Sequence, residues 1–315
     1  MNDAKPLEAM PGDRPGTALL KGAVDCHVHA CPHLNGRSVD VFQAVREAAA
    51  HGMGGIGLMD NFANSAGYAA LARRELGDLG VEVFGGLIME PQSGGISADA
   101  VRASLGCGYG PGDGARFISL PTHHTQNIAR IEGRGPAYLE TCLAIPEQGE
   151  LPDPLPEILG LIADHDVVLN TGHISGPEAV RLVEIAKERG VGRILVPCSH
   201  YSAEEARAIA AHGGFAEFSF FFLSHATQVG LTHVDAEQHT VPPVSLGQMA
   251  ELIRAAGPKN TVLSSDCGVY VLPPPAEGLR EFLLMIESAG FSRPELDLMA
   301  RVNPGRLFKV LEDRR

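Results

Sequence analysis

Residues 23–33 read AVDCHVHACPH, placing His27 and His29 two apart behind an apolar lead-in. Along a β-strand, side chains i and i+2 project from the same face, so both imidazoles can reach one metal ion. Three more metal-competent residues follow short apolar runs: His173 in VVLNTGH, His200 in ILVPCSH and Asp266 in VLSSDCG. Neutral imidazole and carboxylate suit zinc, and also ferrous iron or manganese. Such an ion turns water into a nucleophile at neutral pH by lowering its pKa from about 15.7 towards about 7. An aspartate beside it can take the proton and return it to a leaving group. Beside such an ion Asp266 is a candidate proton carrier, and His173 or His200, if not a ligand, is a candidate for polarising a substrate.

These side chains meet only if the chain brings the ends of distant segments together. Eight short apolar runs predict strands at 23–29, 54–60, 81–89, 115–120, 167–172, 193–199, 215–221 and 261–267. Helical patterns lie between and after them, at 39–51, 66–78, 97–106, 155–165, 177–189, 202–212, 245–256 and 277–288. Ser202 before AEEARAIAAHGG and the Gly176-Pro177 pair open two of these helices. Gly190 and Gly213 close two of them. Eight strand-helix units predict an α/β fold, a closed (β/α)8 TIM barrel, whose strand C-termini converge on one mouth. Residues 1–22 read as a polar N-terminal arm and 23–315 as a single domain. Loop insertions near 121–154 and 223–243 are candidate lids, since loops at that end of a barrel cover the site.

The order His-x-His, His, His, Asp at the ends of strands one, five, six and eight resembles the amidohydrolase superfamily of metal-dependent hydrolases. The tail ARVNPGRLFKV, residues 300–310, is similar to that superfamily's closing Asn-Pro-x-Arg-Leu-Phe segment. The resemblance implies that His27, His29 and Asp266 bind a buried metal ion, with His173 and His200 completing that site or holding a second ion. It implies hydrolysis of an amide, lactone, ester or thioester. Related barrels decarboxylate acids with one metal, so a lyase is the alternative, and a non-catalytic metal-binding protein the more distant one.

One departure bears on the number of ions. Many two-metal members bridge their ions with a carboxylated lysine at the end of strand four, but the five lysines here (5, 21, 187, 259 and 309) fall elsewhere. Strand four instead ends in ISLPTHH, which makes His123 and His124 substitute ligands. Glu90 after strand three and Glu217 inside strand seven are further carboxylate candidates, the latter because a buried carboxylate needs a partner. Asp25 is expected on the inward face of strand one, orienting a histidine. Cys26 and Cys198 are expected to point away from the mouth, and Cys31 and Cys267 to lie near it as alternative thiolates. Arg130, Arg134 and Tyr138 in the first insertion are candidates for receiving a carboxylate or phosphate. Phe220, Phe221 and Phe222 would suit an apolar substrate portion. His33 and, in the second insertion, His225, His233 and His239 are weaker candidates, and His51, His165 and His212 read as helix-end residues.

Composition narrows the partners. A net charge of −13 with no basic run argues against nucleic acid. No apolar stretch is long enough for a membrane span, so the expected partner is a small molecule, with homo-oligomerisation possible at the family level. Six scattered cysteines and an N-terminus without a signal-peptide pattern lead to an expected cytoplasmic location.

Overall fold

The computed structural model describes residues 14–228, 231–232, 238–239 and 241–310, without the side chains of 227–240. Eight parallel strands follow one another around a ring: β1 (Val24–Val28), β2 (Gly55–Leu58), β3 (Glu82–Ile88), β4 (Phe117–Ser119), β5 (Val168–Asn170), β6 (Arg193–Pro197), β7 (Phe215–Ser219) and β8 (Thr261–Ser264). Just beyond β8 the ring closes through a parallel Val28–Cys267 bridge, with the His29 N–H donating to the Cys267 carbonyl at 2.8 Å. The predicted TIM barrel is the fold. Observed strands stop up to three residues short of the sequence windows, because the last residues of each window leave the ladder to line the mouth.

The helices are α1 (Val41–Ala50), α2 (Ala66–Leu76), α3 (Ala98–Leu105), α4 (Gln126–Ile131), α5 (Pro136–Leu139), α6 (Leu155–Asp164), α7 (Gly176–Glu188), α8 (Ala203–Ala211), α9 (Leu246–Ala256), α10 (Pro275–Ser288), α11 (Arg293–Asp297) and α12 (Asn303–Leu307). Capping boxes start α1, α7, α8 and α9, each pairing an Asp or Ser cap with a Gln or Glu three residues on. His51, His165 and His212 are the C-cap residues of α1, α6 and α8, as expected. The first insertion is more than a loop, since it carries α4 and α5. The described end of the N-terminal arm packs down: Leu20 is fully buried, and Arg280 of α10 donates to the Pro15 carbonyl.

Strand β1 departs from simple alternation. Asp25 pairs with Ile56 and Val28 with Leu58, three steps on one strand against two on the other. That extra residue is a β-bulge, which re-aims side chains next to it. Val24 and Cys26 sit in the apolar barrel interior with Phe84, Phe117 and Leu195, while Val28 joins the layer under the helices. Asp25, between Val24 and Cys26, therefore faces outward, and the expectations for Asp25 and Cys26 are both reversed. The bulge then turns His27 to the interior side as well, directly above Cys26.

The tail plugs the barrel floor. Asn303 donates to the carbonyls of Pro258 (2.8 Å) and Thr261 (2.7 Å), and Phe308 stacks on Phe84 with ring centroids 4.5 Å apart. Arg116 fastens the Phe308 carbonyl at 3.0 Å. The Asn-Pro-Gly-Arg-Leu-Phe segment is thus structural. Replacing Phe308 by Ala should lower stability by about 3–5 kcal/mol, the usual cost of emptying an aromatic core site. Urea denaturation checks this, and a loss below about 1 kcal/mol would mean the tail lies outside the cooperative core.

Candidate metal centre

The decisive contacts are at the top of β1 and just past β8. His27 Nε2 lies 3.3 Å and His29 Nε2 3.1 Å from Asp266 Oδ1. All three residues are buried, and they form a group able to hold a metal ion. Ligand atoms at about 2.0–2.1 Å from a tetrahedral zinc stand about 3.3–3.4 Å from one another; both separations from Asp266 Oδ1 are close to that, and all three ligand atoms lie within 4.8 Å of one another.

Backbone geometry aims these atoms. Asp266 has φ +52°, a left-handed conformation that Asp adopts more readily than most residues. Its N–H donates to the His27 carbonyl at 2.9 Å, which ties the two strand ends together. Gly268 follows at φ +107°, and a Cβ there would fall 1.6 Å from the His29 carbonyl oxygen. Only glycine lets the β8 end approach β1 this closely.

Behind His27 stands Glu217 of β7, 2 % exposed. Its Oε1 lies 3.1 Å from His27 Nδ1 and accepts the Ser264 hydroxyl at 2.8 Å. A carboxylate on Nδ1 holds a proton there, so that Nε2 would be the nitrogen to lose its proton and meet a metal ion. Glu217 thus reaches the ring of His27, not the converging atoms, and it takes the orienting role expected of Asp25. Asp25 instead braces backbone, accepting the Ser265 N–H at 3.0 Å and the His27 N–H at 3.3 Å. Burial pushes its pKa up to about 6 against these hydrogen bonds.

The charges ask for a cation. Burial opposes protonation of His27, but Asp266 and Glu217 outweigh it and hold its pKa up at about 9. Burial would raise the Asp266 pKa, yet His27, His29 and His173 bring it below the ordinary carboxylate range. His29, dominated by burial, is pushed down to about 4 and stays neutral. Its Nδ1 and Glu217 Oε2 are buried without a partner. Asp266 and Glu217 favour positive charge at His27, and a divalent ion beside neutral His29 and His173 would supply that charge in place of a proton.

The remaining expected residues divide. His173 and His200 line the same cavity, as does His123. His173 is neutral, its pKa lowered by burial to about 4. His200 is exposed at the rim, 2.7 Å from the Pro242 carbonyl and edge-on to Phe222, and stands outside the three-residue group. His124 turns away from the cavity: Nε2 meets the Thr141 carbonyl at 2.8 Å and Nδ1 the Tyr138 hydroxyl at 3.4 Å. Glu90 is a buried clamp, accepting the N–H groups of Thr122, His123 and His124 and the Thr122 hydroxyl. Neither cysteine named for the mouth lines the cavity, and buried Cys267 abuts Gly278 of α10. Cys198 points outward as expected. Arg130 and Arg134 are engaged with Gln126 and Glu132, and neither arginine lines the cavity. His33 packs against Asp60, and His225 is exposed; His233 and the His239 side chain lie outside the described residues.

Residues 22–253 match the model of a family of unknown function, DUF6282. The chain belongs to the DUF6282 family. No curated protein matches this DUF6282 chain. Among solved structures, an amidohydrolase from Pseudomonas aeruginosa aligns at TM-score 0.58 and 10 % identity, covering 95 % of this chain and 100 % of that one. An organophosphorus hydrolase from Deinococcus radiodurans aligns at 0.56 and 16 %, covering 93 % of each chain. An amidohydrolase from Burkholderia multivorans with bound zinc aligns at 0.54 and 11 %, covering 91 % of this chain and 99 % of that one. The DUF6282 barrel therefore shares its fold with these hydrolases. Among its described residues no helix is long and apolar enough to cross a membrane.

Proposed function

We propose that this chain is a metal-dependent hydrolase that directs water onto a carbonyl centre (amide, ester, lactone or thioester) of a small molecule. The observation that carries the reading is the convergence of His27 Nε2 and His29 Nε2 on Asp266 Oδ1, at 3.3 and 3.1 Å, with Glu217 behind His27. A divalent ion held there supplies Lewis-acid activation, moving the pKa of water from about 15.7 towards about 7. Zinc fits this ligand set, as do iron and manganese. One ion per chain is the stoichiometry proposed, because one such group occurs among the described residues.

The protein's own groups do the rest. Asp266, ionised, takes the proton of the attacking water and hands it to the leaving group. His173, neutral, offers a ring N–H to the substrate carbonyl. His200 borders the opening, held to the second insertion through Pro242. The cavity is about 120 Å³, comparable with the roughly 150 Å³ that accommodates benzene in a protein interior, so the substrate is small. Six free cysteines fit a reducing compartment, and we place the enzyme in the cytoplasm.

The test is elemental analysis of the purified chain, followed by chelation, reloading and a panel of small esters, lactones and amides. About one ion per chain, with turnover lost on chelation and regained on reloading, is the expected result. A chain that takes up no metal would end the reading, and CO2 as product would assign a lyase instead.

A further inference from the structure

Among the described residues that line the cavity, Arg37 carries a charge that the proposed hydrolytic site does not use. It lines the cavity beside His29, Asn61 and Val269. Its loop is pinned to the β8 end by an antiparallel Arg37–Val269 bridge and by the Ser38 N–H donating to the Gly268 carbonyl at 2.7 Å. The guanidinium is therefore held in register with Asp266, two and three residues before those anchors.

Its donors are poorly served. Nε is buried without a partner, and one terminal nitrogen reaches only the Gly36 carbonyl at 3.3 Å. The other lies 2.8 Å from His33 Nε2. That partner is an imidazole already engaged at Nδ1 by the Asn35 N–H at 3.0 Å, and it brings no negative charge to the guanidinium. Asp60, the nearby acid, is taken up by His33 and by the Phe62 N–H. Burial lowers the Arg37 pKa to about 10, so the group stays charged at neutral pH. Asp60 and Asp266 act on this largely buried guanidinium through their charge, but no carboxylate among the described residues hydrogen-bonds it, which leaves its donors to an anion from outside. Glu132, the other acid on the cavity wall, is itself paired with Arg134 at 3.1 Å.

The same cavity is lined by apolar side chains, Ile128, Ile131, Phe221, Phe222 and Val241 among them. We propose that the substrate is a small organic acid, its carboxylate received by Arg37 and its apolar body lying on the Phe222–Ile128 wall. This rests on the hydrolase reading, because the susceptible bond would then stand between the carboxylate and the His27–His29–Asp266 group. Guanidinium suits the role through its fork of donors, which matches the two oxygens of a carboxylate.

Binding, not turnover, tests it. Calorimetry on the full chain as purified would compare benzoate with benzamide, and cyclohexanecarboxylate with its amide. Each acid should bind about ten-fold or more tighter than its amide, the usual scale for charged hydrogen bonds. In Arg37→Met that preference should fall below about three-fold, and Arg37→Lys should recover part of it. Thermal melting checks that each variant is folded. Acids binding no better than amides would overturn the proposal. So would a preference that survives in Arg37→Met, which would assign it to the metal instead. Either failure leaves metal-dependent hydrolysis untouched, whereas a chain that prefers acids but never hydrolyses would keep this subsite and lose the hydrolase reading.

Discussion

Replacing Asp266 by Asn should reduce kcat/KM on any hydrolysed substrate by about 10³-fold or more, combining loss of a general base with loss of an anionic ligand. Asn keeps the size of the side chain and also tolerates φ near +52°, so the backbone bend at this position survives. What disappears is the negative charge that faces His27 Nε2 and His29 Nε2 across 3.3 and 3.1 Å. His27 then keeps only Glu217 as a close carboxylate partner. Metal content should fall together with activity, while the melting profile still reports a folded barrel. Turnover within about three-fold of the parent would refute the assigned role, since a positioned base contributes at least 10²-fold.

Glu217→Gln should weaken zinc binding by about 10- to 100-fold, the range found when outer carboxylates behind histidine ligands are removed. The amide preserves shape and can still accept from His27 Nδ1 at one oxygen. It withdraws the charge that raises the basicity of Nε2, and it must place an NH2 group where Oε2 lies buried without a partner. Ser264, whose hydroxyl donates to Oε1 at 2.8 Å, limits how the amide can turn. Competition against a chelating dye would measure the change. An unaltered dissociation constant would mean that Glu217 serves the packing of the barrel rather than the metal centre.

Much of this architecture was legible before any coordinates. Apolar runs of strand length alternating with capped helical segments carry the barrel, because one side of each helix and both faces of each inner strand must be buried. The convergence of His27, His29 and Asp266 was legible for the same reason: barrel topology brings strand ends together wherever they fall in the chain.

The bulge in β1 was not. One unpaired residue leaves no periodic trace, so alternation put Asp25 inside and Cys26 outside, the reverse of what the ladder imposes. Arg37 escaped notice because it follows His29 by eight residues in a loop whose course depends on the bridge to Val269. Conversely, Arg130 and Arg134 drew attention for being in an insertion, and local partners already engage both. Glu90 and His124 likewise sit at plausible sequence positions, but one clamps a backbone turn and the other faces Tyr138 and Thr141.

The sequence by itself therefore determined the eight strands and the main helices between them, in order, and that residues able to hold a metal ion gather at one mouth. Only the tertiary structure decided which carboxylate stands behind which histidine, and which arginine enters the cavity. The physical reason is range: hydrophobic period and capping act within a turn or a strand, whereas side-chain direction at a bulge or in a loop is set by partners 190 or more positions away, as with His27 and Glu217.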